Sequence, residues 1–285
     1  MARPDLRTSV RYLRGVLRSS SATFRTDDGL NLSYETWGPD GGPGPVVLCH
    51  GFAVDSRVNW VAPGIAERLA RAGTWVVGLD ARGHGRSDKP HDEARYGEER
   101  MAADVVALLE HLGASRAALV GYSMGAEIAA LVATADRRVT ALVLGGVGAG
   151  MVERGGPGAG ASAGPNADIA EALVSDDPAV TSRPEVAGFR MLADFIRADR
   201  VALAAVARSA RSAPMDLHAI SAPTLVLAGT EDAMAERPEV LASAIDGAVL
   251  VPVPGDHLGA VGQPVFADAL VSFVTAQLAS PAPPG

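Results

Sequence analysis

Short apolar runs without polar alternation recur along the chain: Val46-Val47-Leu48-Cys49, Trp75-Val76-Val77-Gly78-Leu79, Ala117-Ala118-Leu119-Val120, Ala141-Leu142-Val143-Leu144, Thr224-Leu225-Val226-Leu227 and Val249-Leu250-Val251-Pro252-Val253. Between them lie stretches with helical spacing near 62–72, 97–112, 124–135, 236–245 and 264–279. Strands that are apolar on both faces and separated by helices predict a mostly parallel sheet with helices on both sides, the α/β class. Ahead of the first run, Ala22 to Trp37 alternates around Asp27-Asp28-Gly29. An Asp-Gly pair between alternating residues predicts a hairpin, so the sheet opens on an antiparallel pair.

One interval breaks the rhythm. About seventy residues separate the run ending near Val147 from the one starting at Thr224, far beyond an ordinary connection. The segment 149–213 therefore reads as an insertion into a core built from 21–148 and 214–285. Gly155 to Pro165 has the Gly, Ala, Ser and Pro composition of a linker. Helical patterns follow near 166–175, 184–198 and 200–212, a small helical cap whose last helix can also be assigned to the main domain. Residues 1–20 stand apart: Arg3, Arg7, Arg11, Arg14 and Arg18 mark one helical face and Leu6, Val10, Leu13 and Leu17 the other. This predicts an amphipathic N-terminal helix docked on its own domain, with weak contact to an anionic membrane surface as the alternative.

Composition narrows the class further. The chain has 285 residues, 48% hydrophobic and 20% charged, with a net charge of −8 and Lys89 as its one lysine. An acidic chain lacks the positive field of a nucleic-acid binder. No apolar run is long enough to span a membrane. Cys49 is the only cysteine, which leaves no intrachain disulfide and fits a cytoplasmic protein; its apolar neighbours predict a buried, inert thiol. Oligomeric state is not specified by any of these features.

Gly121-Tyr122-Ser123-Met124-Gly125 follows an apolar strand and opens a helix, the context in which a GxSxG sequence forms a nucleophile elbow. A serine needs a base, and of the six histidines, His257 follows the last strand at the carboxyl edge where parallel sheets carry function. His50 and His84 belong to other loops. An acid must orient the imidazole; Asp232, after the strand at 224–227, fits the chain order Ser, Asp, His, with Glu231 as the alternative. The oxyanion donors predicted are the backbone N–H groups of Met124 and of Phe52 in His50-Gly51-Phe52.

Taken together, Leu48-Cys49-His50-Gly51-Phe52, Asp80-Ala81-Arg82-Gly83-His84-Gly85-Arg86-Ser87, Gly121-Tyr122-Ser123-Met124-Gly125, Gly229-Thr230-Glu231-Asp232 and Gly255-Asp256-His257 resemble, in this order, the α/β-hydrolases over residues 22–279. The resemblance implies the α/β-hydrolase fold, a structural role for the loop at 80–87, and a cap formed by 149–213 over the pocket. It is to the serine branch: haloalkane dehalogenases and epoxide hydrolases of this fold attack with a carboxylate, and Ser123 stands at that place.

The expected pocket residues are Gly51, Phe52, Trp60, Tyr122, Met124, Met151, Phe189, Met191, Leu192, Phe195, Met234 and Leu258, most of them apolar, which suits a small acyl substrate. No metal-ligand spacing occurs and no cofactor is expected. The leading expectation is hydrolysis of a carboxylic ester, lactone or thioester through an acyl-serine. Alternatives are a cofactor-free peroxidase or perhydrolase, a hydrolase of a carbon–carbon bond in a vinylogous diketone, and a non-catalytic binding module that keeps the fold.

Overall fold

The apolar runs become strands of one sheet. The computed structural model describes residues 19–153, 163–182, 184–209 and 214–279; residues 1–18 of the expected N-terminal helix and residues 155–162 of the expected linker lie outside the described residues, and Ser20, expected in that helix, opens the first strand instead. The strands are β1 Ser20–Arg25, β2 Asn31–Trp37, β3 Pro45–Cys49, β4 Trp75–Leu79, β5 Ala117–Tyr122, β6 Val139–Gly145, β7 Thr224–Gly229 and β8 Val249–Val253. They form an eight-stranded sheet in the order β1-β2-β4-β3-β5-β6-β7-β8. β1 and β2 form the antiparallel hairpin, and β2 also meets β4 antiparallel. The remaining pairings are parallel. Pro252 sits in β8, at the sheet edge, where a missing N–H breaks no internal ladder.

Period-two alternation divides the central strands between two cores. Val47, Cys49, Leu119, Leu142 and Leu144 face one side, where they join Val105, Leu108 and Ile128. Val46, Leu48, Val120 and Val143 face the other, with Ile65, Leu69, Phe266 and Leu270. The first side is covered by α2 Glu98–His111 and α3 Met124–Ala135, the second by α1 Ile65–Arg71 and α10 Pro264–Ala279. Trp60 is fully buried in this second core, on a π-helical turn at Arg57–Val61. Its expected place in the pocket is therefore corrected: a turn one residue wider than an α-helix points it under the sheet.

Between β6 and β7 the chain forms α4 Gly150–Glu153, α5 Ala163–Val174, α6 Pro178–Thr181, α7 Pro184–Phe195 and α8 Arg200–Arg208; α9 Pro238–Ser243 follows β7. α5 begins at Ala163, so the last residues of the expected linker are already helical, with Pro165 in the first turn where its missing N–H breaks no bond. α5, α7 and α8 share a small core of Ile169, Leu173, Val186, Ala193 and Leu203, which also takes in Ala53 from the loop after β3. α8 faces both ways, since Ala205 and Val206 belong to the main core.

Candidate active site

Ser123 stands between β5 and α3 at φ 52° and ψ −119°, a strained conformation for an L residue. Two glycines permit it. A Cβ at Gly121 would overlap the Gly125 carbonyl and Ala126, and one at Gly125 would overlap the Cys49 and His50 carbonyl oxygens. The Ser123 N–H donates to the Gly145 carbonyl at 2.8 Å, tying the elbow to β6. The serine is thus raised above the carboxyl ends of β5 and β6.

Two distant loops arrive at the same point. His257 Nε2 lies 3.0 Å from Ser123 Oγ, and its Nδ1 lies 2.9 Å from Asp232 Oδ2. These separations fit an Nδ1–H donating to the carboxylate while Nε2 faces the hydroxyl as acceptor, the tautomer a general base requires. The Asp232 side chain is fully buried, and its other oxygen accepts the Met234 N–H at 2.9 Å. Glu231 is exposed. Asp256 accepts from the Leu258 and Gly259 N–H groups and so shapes the loop that carries His257. Gly229 allows the two loops to meet, since a Cβ there would overlap the Gly255 carbonyl and crowd Asp232.

Tyr122 is corrected from pocket wall to support. It is buried, its hydroxyl donates to the His257 carbonyl at 2.7 Å, and its ring lies 5.4 Å from the imidazole. Gly145 and Gly146 leave the space this ring occupies. Gly51 is likewise no pocket wall: it packs against the elbow, and a Cβ on it would stand 3.6 Å from Ser123 Cβ.

Neither the Phe52 nor the Met124 N–H has an acceptor among the hydrogen bonds of the described residues. Met124 is the first residue of α3, where an N–H has no intrahelical partner. Phe52, Ser123 and Met124 share one cavity wall, and backbone N–H groups without an acceptor are the kind of donor that receives the charge developing on a carbonyl oxygen during attack.

Beside Ser123 opens a cavity of about 160 Å³ lined by Phe52, Met101, Met124, Ile169, Phe189, Val206, Ala207 and Met234, with Gly97, Glu98, Glu127 and Ser209 also on its wall. Of the expected pocket residues, Phe52, Met124, Phe189 and Met234 line this cavity. Met151 is buried in the main core instead. Leu192 packs into the core of the inserted helices. Met191 and Phe195 are 69% and 84% exposed, because Val186, Phe189 and Ala193 fix the inner face of α7 and these two fall on the outer one. Leu258 is 61% exposed on the loop surface.

Comparison with known proteins agrees with this fold. Residues 44–153 match the family model described as alpha/beta hydrolase fold. An esterase from Exiguobacterium antarcticum superposes with a TM-score of 0.73 at 25% identity, covering 88% of this chain and 98% of the esterase. The chain belongs to the α/β-hydrolase superfamily. A non-heme chloroperoxidase of Streptomyces lividans is 41% identical over 118 residues, 40% of either protein. Epoxide hydrolase A of Mycobacterium tuberculosis is 37% identical over 101 residues, 35% of this chain and 30% of that enzyme. The matched stretches span well under half the length of these curated relatives.

In this α/β-hydrolase the loop at 80–87 is a frame. Asp80 accepts from the Ser56 and Arg86 N–H groups. Arg82 is fully buried and pairs with Asp104 at 2.7 Å and Asp28 at 3.0 Å. Burial pushes the Cys49 thiol up to about 12, so it stays protonated. The wall residues Met101, Glu98 and Glu127 have no motif, although Glu127 lies four positions after Ser123 and shares its helical face. Among the described residues, no three His, Cys, Asp or Glu side chains cluster as a metal site, and no helix is long and apolar enough to cross a membrane.

Proposed function

We propose that the protein hydrolyses small carboxylic esters through an acyl-Ser123 intermediate. The observation that carries this reading is the continuous chain of contacts from Ser123 Oγ to His257 to Asp232, at 3.0 and 2.9 Å. His257 takes the hydroxyl proton as Ser123 attacks the carbonyl carbon, and Asp232 steadies the imidazolium. The Phe52 and Met124 N–H groups hold the oxyanion. His257 returns the proton to the departing alcohol, then activates a water that releases the acid and restores Ser123.

The likeness to an esterase over nearly the whole chain supports this chemistry, and the serine at the elbow sets it apart from attack by a carboxylate. The inserted helices act as a cap in this reading, supported by Ile169 and Phe189, which line the same cavity as Ser123. An engineered apolar cavity of about 150 Å³ takes up benzene, so a cavity of about 160 Å³ suits a short aliphatic or single-ring acyl group. The single buried thiol fits a cytoplasmic enzyme. No nucleic acid is expected as a partner.

The test is hydrolysis of p-nitrophenyl esters of graded chain length, with lactones and thioesters alongside, by wild type and Ser123→Ala. Turnover of short esters that is lost in the variant is expected; equal turnover by both would refute the reading. The chloroperoxidase likeness favours one second reading, in which peroxide replaces water as the acceptor of the acyl group and a peracid results. Halide oxidation in acetate with peroxide, dependent on Ser123, would identify it.

A further inference from the structure

We propose that His50 and Asn59 are positioning residues that aim the Phe52 N–H at the reacting carbonyl oxygen. This inference rests on the acyl-serine reading and adds to it two residues that touch no reacting atom. Gly51 is held at both ends of its backbone. Its N–H donates to Asn59 Oδ1 at 2.8 Å, and its carbonyl lies 2.8 Å from His50 Nδ1. In a trans peptide the carbonyl and the following N–H point in opposite directions. Fixing the Gly51 carbonyl toward His50 therefore fixes the Phe52 N–H away from it.

The tautomer of His50 follows from its other contact. The Ala81 N–H donates to His50 Nε2 at 3.0 Å, so Nε2 is the acceptor and Nδ1 carries the proton given to Gly51. The imidazole thus spans from the carboxyl edge of β4 to the oxyanion loop. Both His50 and Asn59 are buried, at 1% and 5% exposure. Asn59 is held to one orientation, because turning its amide would set two donors against each other at Gly51. That orientation leaves Asn59 Nδ2 without a hydrogen-bond partner among the described residues. A buried donor left unsatisfied calls for an explanation, and anchoring the oxyanion loop supplies one.

His84 backs the same loop from the far side. Its ring lies 5.0 Å from His50 and 5.8 Å from Phe52, and its Nε2 faces the Ala53 N–H at 3.4 Å. Ala53 has φ 58°, so the chain turns sharply just beyond Phe52.

The experiment compares wild type, His50→Leu, His50→Asn and Asn59→Ala on one short ester, and measures inhibition by a trifluoromethyl ketone, whose adduct with Ser123 carries an oxyanion. Losing an oriented donor lowers kcat by about 10²–10³. His50→Leu and Asn59→Ala are expected to lose kcat on that scale with KM within about twofold, and to lose ketone affinity in the same proportion. His50→Asn, whose amide can still donate to the Gly51 carbonyl, is expected to recover most of kcat. Should His50→Leu not fold, Asn59→Ala and His50→Asn decide. Folded variants with wild-type kcat and ketone affinity would overturn the positioning role while leaving the ester reading intact. A wild type that neither turns over esters nor binds the ketone would overturn both.

Discussion

At Ser123 the backbone is held at φ 52°, and the site follows from what surrounds that one residue. Burial separates Asp232 from Glu231: the first is enclosed beside His257, the second faces solvent. Asp232→Asn is expected to lower kcat by about four orders of magnitude, as loss of the orienting carboxylate does elsewhere, while Glu231→Gln stays within about twofold; steady-state kinetics on a short ester checks both. The three polar side chains were legible because each follows a strand in a recognisable loop. Asn59 was not, since its part depends on a contact with Gly51 that no motif announces. His84 carries a pH consequence. Burial, and then the neighbouring His50, pushes its imidazole down to about 3 from an ordinary 6.5. The unfolded chain takes up this proton below roughly pH 6.5 and the folded one only near 3. The stability it contributes is therefore complete above pH 6.5 and is lost as pH falls through that window. His84→Gln should show a shallower loss of urea midpoint than wild type between about pH 7 and 4.5; parallel losses would refute the account.

Among the elements, the sheet was the most legible, because strands buried on both faces leave unbroken apolar runs. Helical spacing marks the helices against it nearly to their ends, as α3 and α10 show. The inserted helices are legible as helices but not by face. Met191 and Phe195 look like pocket candidates in composition, and only the packing of Val186, Phe189 and Ala193 turns them outward. Trp60 is the opposite case: its composition suits a pocket, yet on a π-helical turn it lies fully buried in the core. Two element-level outcomes are expected. Gly125→Ala drives a Cβ into backbone carbonyls of β3 and the loop after it, so soluble protein should fall sharply and any folded fraction should be inactive. Arg82→Ala strands Asp104 in the interior, and breaking one partner of a buried pair costs about 3–5 kcal/mol. Denaturant unfolding should report a loss of that order without a change in KM for the folded enzyme.

For the whole molecule, the carboxyl edge of the sheet brings together loops from both halves of the chain, and the helices between β6 and β7 meet them over one cavity. Its size sets the expected acyl preference: acetyl to benzoyl esters hydrolysed well, long-chain esters poorly. Removing the Phe189 ring, which packs 5.7 Å from Phe52, should shift the optimum to longer chains; an unchanged profile would place the acyl group elsewhere. The most direct test of the central claim is to quench the enzyme during turnover of a slow ester and map the acylated peptide by mass spectrometry. The acyl group is predicted on the peptide that contains Ser123, and none in Ser123→Ala. An acyl group on any other residue, or rapid ester hydrolysis by Ser123→Ala, would contradict it.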